Sequence, residues 1–219
     1  MDTKKINSSD ILQIIQTLIL IVLVVEMTIM FRDSKRIKNM PERRQPEEKK
    51  LNVNLDELTK DSYFMGKKKA KATLVLFNSF SCGFCARARE PIMKLAKKFP
   101  DDLRIFYKHF NRGGMDDLPA QAAECAGEQG KFWEMYNEIF NKGVRGDPRA
   151  YAKELGLNTK KFNECVSSGR YKTKTEKDTN DGATLGVRGT PSFILNDKLI
   201  QGFRPYDVFE QMIESELKK

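Results

Sequence analysis

Two cysteines two residues apart, Cys82 and Cys85 in "LFNSFSCGFCARAREPIMKLAKKF" (residues 76–99), are the side chains best placed to do chemistry in this chain. Three chemistries fit such a pair: a redox couple, half of a metal site, or two inert core thiols. A thiolate, not a thiol, attacks a disulfide, so a redox cysteine needs something that stabilises negative charge. The apolar run before Cys82, and the helical spacing of Ile92, Leu95, Ala96 and Phe99 after Cys85, set Cys82 at the start of a helix. Unpaired N–H groups and the macrodipole favour an anion there. The spacing places the second sulfur one turn along, within reach of an intramolecular disulfide. Cys82 is thus the predicted nucleophile and Cys85 the resolving thiol. A structural zinc site usually draws on two paired-ligand motifs, whereas the other candidates here are the isolated Cys125 and Cys165 and the sole histidine, His109. No metal is expected, and His109 reads as a packed histidine of a strand. Inert thiols have no reason to fall at a strand-to-helix junction.

The elements that must position the pair follow from the pattern on either side. "KATLVLFNSF" (71–80) is an apolar, β-branched run suited to a buried strand. The helix after Cys85 contains Pro91, which lacks an N–H and should bend it. "DLRIFYKHF" (102–110) reads as a second strand, reached through that helix and therefore parallel to the first. From about 118 to 182 the pattern is helical and too long for a simple crossover, so it reads as an inserted helical subdomain. "TPSFILND" and "KLIQGF" form a hairpin around Asn196 and Asp197, and "YDVFEQMIESELKK" closes the chain as an amphipathic helix. The expected order is strand, helix, strand, helical insert, hairpin, helix, an α/β fold.

The chain has 219 residues, 40% of them apolar, enough for one domain with a real core plus an appendage. Lys and Arg outnumber Asp and Glu 39 to 30, but no stretch interleaves basic and aromatic residues like a base-stacking platform, so nucleic acid is not an expected partner. Residues 1–10 read as an N-terminal tail, and "ILQIIQTLILIVLVVEMTIMF" (11–31) as a single transmembrane anchor. About 21 residues give a helix of about 31 Å, against a hydrocarbon core of about 30 Å. The run is too long, and ends in residues too large (Met27, Met30, Phe31), for a cleaved signal peptide. Lys4 and Lys5 precede it, while Arg32, Lys35, Arg36, Lys38, Arg43 and Arg44 follow it. Taken alone, that distribution would keep the C-terminal domain in the cytoplasm, although large domains translocate despite flanking charge. Residues 32–60 read as a charged tether and 61–219 as the globular domain.

Four stretches, "FNSFSCGFC", "AAECAGEQGKFWEMYNEIF", "LGLNTKKFNECVSSGRY" and "LGVRGTPSFILNDKLIQGF", together resemble the DsbA-like thiol-disulfide oxidoreductases of the thioredoxin superfamily. The resemblance implies a thioredoxin fold with a helical insertion, an active site at Cys82 and Cys85 with no cofactor, and a cis-proline loop opposite it at Gly189-Thr190-Pro191. It makes Thr190 and Pro191, with Gly83 and Phe84 between the sulfurs, contacts for an extended client peptide. It also suggests a structural disulfide between Cys125 and Cys165, which would close a loop of about 40 residues and add roughly 3 to 4 kcal/mol. The implied partners are cysteine-containing exported proteins and a membrane redox partner that recycles the pair. With the apolar run at 11–31, the expected location is the cell membrane, with the catalytic domain on the periplasmic side. Two departures stand out. Many relatives carry an acidic residue in the strand before the motif, where this chain has Leu76 and Ser79. The strongly oxidising members have a histidine between the cysteines, where Phe84 cannot donate to a thiolate. A less oxidising couple is expected, closer to a dedicated reductase or isomerase. A non-catalytic membrane-tethered binding module is the reading from a different class.

Overall fold

In a computed structural model of the protein, residues 8–38, 49–111 and 113–219 are described. The chain divides into two compact units, Met1–Gln45 and Pro46–Lys219. The first holds one helix, α1 (Ser8–Lys38), 31 residues long. Its apolar side chains from Leu18 to Val25, and Met27, Ile29, Met30 and Phe31, stand exposed. Among the described residues no helix is long and apolar enough to cross a membrane. The expected span, 11–31, includes Ile11, Leu12, Ile14 and Ile15, whose side chains lie outside the described set. Residues 1–7 of the expected tail and 39–48 of the expected tether also lie outside the described residues.

The second unit contains a six-stranded sheet: β1 (Lys49–Lys50), β2 (Phe64–Met65), β3 (Ala72–Asn78), β4 (Leu103–His109), β5 (Ser192–Leu195) and β6 (Lys198–Gln201), in the order β1-β6-β5-β3-β4-β2. All seven residues of β3 are buried, because it is a central strand with side chains packed on both faces. Leu74 and Leu76 face the larger core with Ile92 and Leu95 of α3 (Gly83–Lys98) and Phe209 and Ile213 of α9 (Tyr206–Leu217). Val75 and Phe77 face the smaller one with Phe106, Ile194 and Leu199. The crossover through α3 makes β4 parallel to β3, with Leu76 opposite Tyr107 and Asn78 opposite His109. Pro91 lies inside α3. The β5–β6 hairpin turns at Asn196, whose φ of 52° falls in the left-handed region that asparagine tolerates.

The tether expected over 32–60 ends earlier than its charge suggested. β1 pairs with β6, and the Leu51 N–H donates to the Asp197 carbonyl. Leu58 of α2 (Leu55–Thr59) is buried against the second face of the sheet, with Leu51, Val53 and Leu55 packed beside it. A short apolar series among charged residues is therefore part of the domain, and Asn54 caps α2 by accepting from the N–H groups of Asp56 and Glu57.

Between β4 and β5 the chain forms a 3-10 turn (Gly114–Asp116) and then α4 (Asp117–Gly127), α5 (Phe132–Lys142), α6 (Pro148–Glu154), α7 (Thr159–Ser168) and α8 (Lys172–Leu185). Cys125 of α4 and Cys165 of α7 are both fully buried and are joined by a disulfide, with Cα atoms 5.8 Å apart. α8 lies close on the sheet at Gly182, where a Cβ would come within 2.9 Å of the Phe77 and Phe110 rings.

Candidate active site

Cys82 is the N-cap of α3, with φ −85° and ψ 115°, and Cys85 lies in the first turn. Both are free thiols; Cys82 is partly exposed and Cys85 fully buried. The Thr190–Pro191 peptide is cis, and the Cys82 thiol donates to the Thr190 carbonyl at 3.3 Å. The structure thus brings together residues more than a hundred positions apart in sequence. Gly83 and Phe84 are exposed beside the sulfurs, and open space surrounds the position of a Gly83 Cβ. The Arg87 guanidinium sits 4.3 Å above the centre of the Phe84 ring, a cation–π contact on the rim of the site.

The two thiols are in opposite electrostatic settings. Burial works against the Cys82 anion, but the nearby polar groups of Thr190, the Cys85 thiol and the amides of Cys85 and Phe84 favour it and outweigh burial. Its pKa lies below the ordinary thiol value. The sulfur makes no side-chain capping hydrogen bond, yet the amides at the start of α3 still favour its charge. Burial pushes the Cys85 thiol far up, against smaller opposing contributions from the Ser79 main chain and the Thr190 hydroxyl. One sulfur is therefore prepared to attack, while the other holds its proton.

Sequence reasoning missed what holds the loop ahead of Cys82. Asp116, only 3% exposed, accepts from the Ser79 hydroxyl at 2.6 Å, the Ser81 N–H at 2.7 Å and the Ser81 hydroxyl at 3.0 Å. The available signal was the Asp-Asp pair following two glycines in "RGGMDDLP", but nothing in the spacing links it to a serine 37 residues earlier. The Asp116–Ser81 bonds also bring the turn carrying Met115 to the redox loop. Met115 and Leu118, with Phe84 and Phe64, are the large apolar side chains exposed among the described residues of this unit.

His109 lies away from this chemistry. It is fully buried, with Nε2 2.9 Å from Glu124 Oε1. His109, Glu124 and Asp178 bring ligand atoms within 4.8 Å of one another, the spacing of a metal site. The Lys174 ammonium already stands there as the cation, donating to Glu124 at 2.7 Å and Asp178 at 3.2 Å.

A family model described as thioredoxin matches residues 58–215. The chain belongs to the thioredoxin family. Among solved structures, oxidised BdbD from Bacillus subtilis superposes with a TM-score of 0.69 at 23% identity, covering 79% of this chain and 100% of the other. A periplasmic thioredoxin-like protein from Salmonella enterica serovar Typhimurium gives 0.62 at 22% identity, covering 78% and 100%. The fold of this thioredoxin-family chain is DsbA-like. A curated relative, a Na(+)/H(+) antiporter NhaA from Herminiimonas arsenicoxydans, is 29% identical over 143 residues, 64% of this chain. The match spans 23% of that relative's length, less than a quarter.

Proposed function

We propose that this chain is a membrane-anchored thiol-disulfide oxidoreductase whose Cys-Gly-Phe-Cys pair exchanges disulfides with cysteine-containing exported proteins outside the cytoplasm. The observation that carries the chemistry is the pairing of an accessible, charge-favoured Cys82 with a buried Cys85 at the start of α3, facing the cis Thr190–Pro191 bond. The Cys82 thiolate attacks a client disulfide, forms a mixed disulfide and releases one client thiolate. Cys85 then attacks Cys82, closing the internal disulfide and releasing the second client sulfur reduced. Run backwards, the same steps oxidise a client dithiol. Thr190, Pro191, Gly83 and Phe84 line the approach to Cys82, and the exposed Phe84 ring gives it apolar surface. Such a surface favours an extended client segment with apolar residues flanking its cysteine.

The anchor rests on the 21-residue apolar run at 11–31 and on the exposed apolar side chains of α1. The extracytoplasmic setting is supported by the buried Cys125–Cys165 disulfide, a feature of oxidising compartments. It is also supported by the likeness to a solved protein described as periplasmic. A reporter fused to the C-terminus should be active only as an exported protein; cytoplasmic activity would sink the topology. For the chemistry, Cys82→Ser should abolish exchange with a peptide disulfide, and Cys85→Ser should trap a mixed disulfide. Unchanged exchange in Cys82→Ser would move the binding-module reading to the front.

A dedicated reductase or isomerase, recycled by a membrane redox partner, is the second reading. Phe84 favours it: the residue between the sulfurs supplies a ring stacked under Arg87 in place of a side-chain donor to the thiolate. Thiol trapping in cells separates the directions, since a mainly oxidised pair marks an oxidase and a mainly reduced pair a reductase.

A further inference from the structure

Two guanidinium groups stand at the active-site end of the sheet without a carboxylate to balance them. Arg204 follows β6. The Gly202 N–H donates to the Pro191 carbonyl at 2.9 Å, so the turn after β6 lies beside the cis-proline loop that Cys82 contacts. The Arg204 side chain folds back over this turn: Nη1 donates to the Phe203 carbonyl at 2.8 Å and would lie 3.6 Å from a Cβ placed on Gly202. The group is partly buried, and burial lowers its pKa with no neighbouring charge acting the other way. Arg87 lies across the sulfur from the loop, on α3 five residues after Cys82. Its contact with the exposed Phe84 ring holds the guanidinium on the rim without neutralising it. Among the described residues neither Arg87 nor Arg204 is within ion-pair distance of a carboxylate, and the first turn of α3 carries no acidic residue. Away from the site, Arg104, Arg149 and Arg170 pair with Asp56, Asp147 and Glu128. A guanidinium offers five N–H donors, and a cation partly withdrawn from water without its anion costs stability. An anion from outside the chain would complete the pair.

We propose that Arg87 and Arg204 select acidic clients, each receiving a carboxylate of the client segment as its cysteine is drawn to Cys82. This selectivity depends on the exchange activity proposed above and names its client class: an extended segment with apolar residues next to its cysteine and Asp or Glu beyond them. Guanidinium forks match carboxylates two bonds at a time. Arg204, partly buried, is screened less by salt than a surface charge. Arg87, exposed on the rim, acts chiefly by steering the encounter. A lysine-flanked cysteine meets like charge and is disfavoured. The chemistry of exchange is untouched: both arginines keep their protons, and the client sulfurs leave reduced as the Cys82–Cys85 bond forms.

The test uses the full reduced chain in uncharged detergent and three peptides of one sequence with an internal disulfide, differing only in two residues outside the cysteines, set as Glu, Gln or Lys. Formation of the Cys82–Cys85 disulfide in a single turnover is read by acid quenching and mass analysis. At low salt the Glu peptide should react about fivefold or more faster than the Gln peptide, and the Lys peptide more slowly than both. High salt should shrink the preference. Arg87→Gln and Arg204→Gln should each lower the Glu-to-Gln ratio, and Arg204→Lys should keep part of it. Lys71→Gln removes the same charge just before β3, at the end of the sheet away from Cys82, and should leave the ratio as it is. A ratio near one in the unmodified protein overturns the proposal. So does an equal fall in Lys71→Gln, which would assign the preference to net charge alone. Should Arg204→Gln fail to fold, an unmoved ratio in Arg87→Gln is the overturning result. If none of the three peptides oxidises the reduced protein, the exchange reading itself falls, and the selectivity falls with it.

Discussion

α4 has two buried carboxylates, Asp116 at its N-cap and Glu124 in its body, and they are compensated in opposite ways. Glu124 belongs to a network of full charges. It receives His109 and the Lys174 ammonium on one oxygen, Lys174 also reaches Asp178, and Asp178 pairs with Lys108 at 2.6 Å. Lys108 in turn holds Asp181 at 2.9 Å and the Leu58 carbonyl at 3.0 Å, tying α8 and α2 to β4. Among the described residues, the hydrogen-bond donors to Asp116 are neutral, two serine hydroxyls and one amide. A charge locked among opposite charges cannot change without stranding its partners. A charge held by neutral donors can, because hydroxyls turn to suit either state. The first arrangement builds the scaffold, and the second ties the loop ahead of Cys82 to the start of α4.

The largest effect should come from the scaffold side. Lys108, 3% exposed, faces two carboxylates, and Lys108→Met removes the buried cation they share, leaving Asp178 with Lys174 and Asp181 with Lys177. The expected loss is about 3–5 kcal/mol in guanidinium unfolding, with the exchange rate of the folded fraction unchanged. Asp116→Asn, by contrast, should cost no more than about 2 kcal/mol, since the asparagine amide can retain hydrogen bonds to the serines. Equal losses in the two variants would break the distinction. Next in size is the disulfide that pins α4 to α7. Replacing both Cys125 and Cys165 by alanine should cost about 2–4 kcal/mol, read from the unfolding midpoint, with Cys82 alkylation preserved in the folded protein.

The difference between the two networks also explains what the sequence disclosed. Cys82, the strand before it and the helix after it are contiguous, so spacing alone placed the thiol at a helix start. The Gly-Thr-Pro loop was found through its resemblance to a family, because nothing local in 189–191 points to a cysteine 108 residues away. Asp116 is hidden in the sequence for the same reason, since its partners Ser79 and Ser81 lie 37 and 35 residues earlier. The scaffold network was equally hidden. "KHF" in β4 reads as an alternating strand, and only the docking of α8 shows that Lys108 meets Asp178 and Asp181. The β1 and α2 segment reads as tether because "EEKKLNVNLDEL" is mostly polar, and its four apolar residues, Leu51, Val53, Leu55 and Leu58, carry its packing.

Lys174 offers a finer cut through the scaffold. Burial opposes its charge, but Glu124 and Asp178 outweigh it and hold its pKa above the ordinary lysine value. A raised cation contributes stability that is fully present below the unfolded lysine value of about 10.4 and is lost as pH rises through the folded one. Lys174→Met should therefore cost about 1–3 kcal/mol at neutral pH. The gap between variant and unmodified protein should close in strongly alkaline buffer. A gap that stays constant with pH would mean that Lys174 acts through its hydrocarbon stem and not its charge.

The smallest shift is expected at Cys82, and it sharpens the redox side of the contrast. The thiolate is the reacting species, and its pKa is lowered while that of Cys85 is raised. Iodoacetamide should thus alkylate the reduced protein once, at Cys82. The rate should fall as pH falls through a midpoint below the 9.0 of an ordinary thiol. Thr190→Val removes the hydroxyl that favours the Cys82 anion while keeping the carbonyl and the chain path. The midpoint should then move back toward 9.0 with little change in stability, because the hydroxyl is one of several donors to the sulfur. A midpoint unmoved by Thr190→Val would assign the lowered value to the start of α3 alone, and the loop opposite would then serve client contact without tuning the thiol.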